Sequence, residues 1–219
     1  MMVKTKMIEE DYSDLGATTP EAQRISSKSR AIIRNLVGDT SMEDRIRQRC
    51  SIATGDAQIA ELLRFVGDPV SAGLKALAEG RDIFVDIKMV DAGVTRKGHS
   101  SSVTAFIGQG DMLAMSEGIT RTSAGLLALS DRLSGSISVI GNAPSALLVL
   151  CDLIEKGSVT PSLVIGVPVG FVNAAESKER LRALDVPSIT TVGTRGGSPI
   201  AVAAMNEIIN IYHQSAGCR

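Results

Sequence analysis

The chain has 219 residues, with 23 Lys plus Arg against 24 Asp plus Glu, 44% hydrophobic residues and 3% aromatic residues with no Trp. That length and balance predict one domain, residues 1–219, able to bury a core without disulfides or a structural metal. A net charge of −1 and the scarcity of aromatics exclude an electrostatic footprint for nucleic acid, a stacking platform for single strands and an aromatic membrane belt.

Taken in chain order, residues 1–14 carry no apolar signal-peptide core, and no later stretch is an uninterrupted apolar run of membrane-spanning length. A cytoplasmic protein without membrane contact is expected. Thr19 followed by Pro20 reads as a helix N-cap with a first-turn proline, and Ile25, Ile32, Ile33 and Leu36 form an apolar stripe that Gly38 and Asp39 should end. Thr40 and Glu43 have capping-box spacing for a second helix. On that helix Arg45, Arg47 and Arg49 read as a solvated face, because the first fifty residues hold nine basic and eight acidic side chains. Ala57 to Phe65 continues in helical style, and Asp68-Pro69 opens a further helix ending at Gly80. No strand is predicted in this third.

After Gly80 the pattern changes to short apolar runs closed by Gly or Pro: Ile83 to Ile87, Val103 to Ile107, Ile137 to Ile140, Leu163 to Val167 and Ser188 to Val192. Helical stretches separate them, at Met112 to Glu117, Thr122 to Leu133, Ser145 to Glu155, Ala174 to Leu184 and Ser198 to Tyr212. Near-continuous apolarity in short strands alternating with helices predicts a five-stranded parallel, doubly wound α/β sheet behind a helical N-terminal segment.

Such sheets bind ligands beyond the carboxyl ends of their strands. The loops expected at that edge are Asp86 with Lys88, Gly141 to Pro144, Gly166 to Phe171 and Gly193 to Ser198, the last containing Arg195, Gly196 and Gly197. Three of them open into helices. Glycine loops there either leave N–H groups for a carboxylate or phosphate, or simply make tight turns. Arg34, Arg121 beside Thr120, and Arg195 are expected near this crevice. Guanidinium forks grip carboxylates bidentately, so together they indicate a ligand with several acid groups; surface ion pairing is the alternative reading.

Nucleotide fingerprints fail. Gly108, Gly110 and Leu113 lack the third glycine of the dinucleotide motif, and Gly93 to Ser100 puts His99 at the phosphate-loop lysine position ahead of a strand. Cys50, Cys151 and Cys218 form no CxxC, so neither a metal site nor a disulfide framework is expected, and Cys50 and Cys151 read as buried apolar residues. His99 is a proton carrier by type, in a loop where exposure is the plainer reading; His213 lies near the terminus.

The runs IGNAPSALLVL (140–150), VIGVPVGFVNAAESKERL (164–181) and TRGGSPIAVAAMN (194–206) closely resemble the precorrin-8X methylmutase family of cobalamin biosynthesis. The resemblance extends through GITRTSAGL (118–126), FVDIKMVDAGVTR (84–96), ATGDAQIAELLRF (53–65) and, more loosely, ISSKSRAIIR (25–34). It implies a flavodoxin-like fold, a homodimer with sites near the subunit interface, and no redox or nucleotide cofactor. The implied reaction is an isomerisation that moves a methyl group between neighbouring ring carbons, converting precorrin-8X or cobalt-precorrin-8 to hydrogenobyrinate or cobyrinate. The corrinoid tetrapyrrole carries acetate and propionate arms, which agrees with substrate contacts from Arg34, Asp86, Thr120, Arg121, Asn142, Arg195, Gly196 and Gly197. The family is expected to hold a histidine just before the A-T-G-D run, where this chain has Ile52. Ser145 for a threonine and Arg30 for an aromatic are lesser departures. Isoleucine cannot donate a proton, so His99, Thr54, Ser51 or water must substitute, or the chain binds or hands on the corrinoid without isomerising it.

Overall fold

The computed structural model describes residues 17–216; the readings placed on residues 1–14 and on Cys218 lie outside them. Helix α1 (Pro20–Val37) begins as expected, with the Thr19 hydroxyl accepting the Ala22 N–H at 3.2 Å, and stops at Gly38, whose φ of 96° suits glycine. Its stripe is corrected: Ile33 is buried, whereas Ile25, Ile32 and Leu36 face outward. Helix α2 (Met42–Thr54) is capped one residue later than expected, by Ser41 with Asp44. The short Asp44 carboxylate takes the N–H groups of both Thr40 and Ser41, which leaves Thr40 outside the helix.

The expected helix over 57–65 shrinks to one turn, α3 (Ile59–Leu62), followed by an unpredicted strand, β1 (Leu63–Val66). The chain continues through α4 (Pro69–Ala78), β2 (Ile83–Val85), α5 (Lys88–Gly93), β3 (Val103–Ala105), α6 (Asp111–Glu117) and α7 (Arg121–Ala128). It ends in β4 (Ile137–Ile140), α8 (Pro144–Glu155), β5 (Leu163–Gly166), α9 (Ala174–Arg182), β6 (Ser188–Thr191) and α10 (Ser198–Ala216). All five predicted strands are present.

Among the described residues the sheet order is β1-β6-β5-β4-β2-β3. Strands β2 to β6 are parallel and in flavodoxin-like order, while β1 pairs antiparallel on the edge, Leu63 opposite Thr191. The expectation of a purely parallel five-stranded sheet is therefore extended by one antiparallel strand. Period-two alternation divides the strands between two cores. Ile83, Val85, Ile137, Val139, Leu163 and Ile165 pack with α2, α4, α5 and α10, and Phe84, Ile140 and Val164 pack with α7, α8 and α9. Phe84 stacks on Phe106 at a centroid distance of 5.9 Å. Cys50 and Cys151 are buried thiols, as expected.

The arginines of α2 do not form a solvated face. Arg45 and Arg49, with Arg30 of α1, converge on the fully buried Glu207 carboxylate of α10 at 3.0, 3.1 and 2.7 Å. Arg47 stacks on Phe65, 4.6 Å from its ring centre. Long-range partners, invisible in the local charge pattern, decide where these side chains go. No helix among the described residues is long and apolar enough to cross a membrane.

Candidate functional site

The carboxyl ends of the parallel strands make one rim. Its central crevice, between β2 and β4 where the strand order reverses, is filled by Asp86. The Asp86 side chain is fully buried, and its Oδ2 accepts the backbone N–H groups of Asn142 and Ala143 at 2.6 and 2.9 Å. Ala143 caps α8 without a side-chain bond of its own, so Asp86 supplies the anion that the helix start favours. Burial pushes the Asp86 carboxyl above the ordinary range, and the backbone N–H bonds pull back. Its Oδ1 has no hydrogen-bond partner. Asp86, expected to touch substrate, is thus a buried buttress for the turn that carries Asn142, and Asn142 is the exposed member of the pair.

The neighbouring loops lock into that turn. A Cβ on Gly141 would lie 2.9 Å from the Ser198 Cα, and one on Gly196 only 2.3 Å from the Val167 carbonyl oxygen, so both positions require glycine. Gly170 and Gly197 donate backbone N–H bonds to Thr194 and Val167 at 3.1 and 2.8 Å. These glycines therefore close loop upon loop, the tight-turn reading. Thr120 caps α7 and meets the Ser145 hydroxyl at 2.9 Å, joining the α7 start to the α8 start.

Each predicted arginine has a carboxylate of its own. Arg121 grips Asp111 bidentately at 2.9 and 2.8 Å, and Arg195 bonds Asp56. Arg34 pairs with Asp39 at 3.0 Å near the start of α2, whereas Ile52 is near that helix's other end. The rim thus gathers Thr120, Arg121, Asn142, Arg195, Gly196 and Gly197 over the buried Asp86. Arg34 is not among them, being held by Asp39 at the opposite end of α2 from Ile52.

Beside the rim, between α2, α5 and α10, runs a groove of about 600 Å³ lined by Ile52, Ala53, Val94, Pro199, Val202 and Asn206 among others. Ile52, at the position where the resemblance leads to the expectation of a histidine, therefore faces a cavity and not the core. The candidate donors do not replace it. The buried Ser51 hydroxyl donates to the Arg47 carbonyl at 2.9 Å, and the Thr54 hydroxyl to the Cys50 carbonyl at 2.9 Å. His99 lies in the chain that returns to the amino edge of the sheet, where Ser102 meets Asp82 and bonds Ile83. Its Nδ1 accepts the Ser101 N–H at 3.2 Å, which leaves Nε2 to donate to the Thr95 carbonyl at 2.8 Å. His99 is thereby removed from the site: it is a loop brace, and it does not line the groove.

Three contributors escaped the sequence reading. Lys178 of α9 is fully buried, and its Nζ donates to the Thr191 hydroxyl and the Arg195 carbonyl at 3.1 and 2.8 Å. Burial, and secondarily Arg182, push its pKa down to about 8. Arg49 lines the groove from α2 while bonded to Glu207. Asn206 ties α10 to the α5 end, accepting the Thr95 N–H at 3.0 Å and donating to the Gly93 carbonyl at 2.9 Å. Glu207, the partner of Arg49, left a local trace as the lone acid between Ala201 and Ile211.

The architecture is that of the doubly wound α/β proteins, in which the carboxyl rim of the sheet is the ligand edge. Residues 24–211 match the precorrin-8X methylmutase family, isomerases of cobalamin biosynthesis, and the chain belongs to that family. It is 40% identical over 207 residues to the cobalt-precorrin-8 methylmutase of Methanocaldococcus jannaschii, covering 89% of this chain and 96% of that one. It is 39% identical over 197 residues to the precorrin-8X methylmutase of Pseudomonas aeruginosa, covering 86% and 95%. The crystal structure of precorrin-8X methylmutase from Thermus thermophilus superposes with a TM-score of 0.81 at 33% identity, covering 88% of this chain and 97% of that one.

Proposed function

We propose that this chain is a single-domain, cytoplasmic methylmutase that acts as a homodimer on precorrin-8X or cobalt-precorrin-8, moving one methyl group between adjacent ring carbons. The observation that carries the reading is the placement of Ile52. The motif position expected to face the ring does face a cavity, and that cavity adjoins the rim where Arg121, Asn142 and Arg195 stand in reach of acid arms. With no imidazole at position 52, rate must come from holding the reacting carbons in a near-attack geometry and from fixed dipoles around the ring. Pairing of subunits would cover the apolar residues of the rim: Met89, Met112, Met115, Phe171 and Val172, all exposed, follow the carboxyl ends of β2, β3 and β5.

A second reading is favoured by one specific observation, that Ser51, Thr54 and His99 all direct their protons at backbone carbonyls. In it the protein keeps the pocket and binds or hands on the corrinoid without isomerising it. The purified protein is mixed with precorrin-8X and the ring isomerisation followed by absorbance. Turnover supports the methylmutase, tight product binding without turnover supports the carrier, and the absence of both turnover and binding rejects both readings. The Ile52→His variant sharpens the result: activity created from none marks the wild type as a carrier, and a native rate left unchanged marks catalysis without the imidazole.

A further inference from the structure

An ion pair also joins the chain just after α2 to the chain just before α10, two helices that line the groove. Asp56 follows Ile52 by four residues at the end of α2, and Arg195 precedes Pro199 by four residues at the start of α10. Ile52 and Pro199 both line the groove. The backbones that carry the pair are held firmly. The Arg195 carbonyl accepts from Lys178 and from the Thr191 hydroxyl at 2.8 and 2.7 Å, and the next residue, Gly196, packs so closely on the 167–168 backbone that a Cβ there would meet the Val167 carbonyl oxygen at 2.3 Å. Asp56 donates its N–H to the Ser51 carbonyl at 3.1 Å, and its Oδ1 accepts the Gln58 N–H at 2.9 Å. The side chains between them are not enclosed: Arg195 is 46% and Asp56 31% exposed. A rigid base with a solvent-exposed guanidinium permits exchange of one carboxylate for another with little rearrangement, and an exposed pair of this kind is weak.

We propose that Asp56 is an internal stand-in for a carboxylate arm of the ligand. It holds the Arg195 guanidinium at the mouth of the groove until an acid arm of the corrinoid takes its place, and so it lowers the affinity of the site. This role rests on the reading of the rim and groove as a corrinoid site. Asp56 is a positioning residue, acting on the ligand through Arg195.

The test is titration of the full-length protein with hydrogenobyrinate, followed by absorbance at low and at physiological salt. Arg195→Ala is expected to weaken binding about tenfold. Asp56→Asn keeps an acceptor for Gln58 and is expected to tighten binding by about two- to fivefold, the worth of a released exposed pair. The double variant is expected to match Arg195→Ala alone, since Asp56 has no further route to the ligand. Thermal melts matching the wild type confirm that each variant is folded. Unchanged or weaker binding by folded Asp56→Asn overturns the proposal, and so does tightening that persists without Arg195, which would mean plain charge repulsion. A failure confined to Asp56 leaves wild-type binding intact, whereas absence of binding by every protein overturns the corrinoid reading together with this role.

Discussion

Asp86 Oδ2 stands 2.6 Å from the backbone nitrogen of Asn142, across the point where the strand order reverses. In open α/β sheets that crevice receives ligand; here a side chain of the protein occupies it and braces the turn above. Asp86→Asn retains the acceptor for both N–H groups and places its amide nitrogen where Oδ1 already has no partner. Stability at pH 7 is expected within about 1 kcal/mol of wild type, while Asp86→Ala, leaving two N–H groups unpaired, should cost about 2–3 kcal/mol. Because the folded carboxyl is raised, its charge weighs against folding as pH climbs above 3.8 and through the raised value. Urea denaturation across pH 3.5–7 should show that decline in wild type and not in Asp86→Asn.

Glu207 is the single buried acid for three arginines. Its removal takes from all three their shared buried carboxylate at the junction of α1, α2 and α10. Glu207→Ala is expected to cost about 3–5 kcal/mol in chemical denaturation, and a loss below about 1 kcal/mol would mean the arginines find water instead.

Lys178 carries the opposite pH signature. Its folded pKa of about 8 lies below the ordinary lysine value of 10.5, so between those values the unfolded chain binds more protons and stability rises with pH. The contribution is at most about 3 kcal/mol. Lys178→Met should flatten the rise between pH 8 and 10.5, and by removing the hydrogen bonds to the Arg195 carbonyl and the Thr191 hydroxyl it should also weaken corrinoid binding. Parallel melts of the two proteins over that range decide it.

Arg121 and Asp111 form an exposed pair, with side chains 59% and 49% accessible. Exposed pairs contribute little to folding, so Arg121→Ala is expected to leave the melting temperature unchanged while weakening corrinoid binding about fivefold or more. An unchanged dissociation constant would return Arg121 to the surface.

The five parallel strands and their glycine loops were legible because each is announced locally: a run of four or five residues with apolar members, four of the five runs closed by Gly or Pro, in order with helices of predictable length. Strand β1 was not. Leu63–Val66 follows a helical turn, and it is a strand only because β6, more than a hundred residues away, offers an open edge. Likewise the glycines were visible at the rim, yet they pack the loops against each other, as the Gly196 contact with Val167 shows.

The amino-acid sequence by itself determined the family, the strands with their order along the chain, and the presence of isoleucine at position 52, because these depend on residue type and near-neighbour spacing. Tertiary structure alone decided which charges meet and which loops face each other. It put His99 at the amino edge, closed Asp86 into the crevice, set Asp56 against Arg195 and gathered three arginines on Glu207. Hydrogen bonds and ion pairs form across short distances in space between residues far apart in sequence, so partner choice exists only once the sheet and its covering helices are assembled.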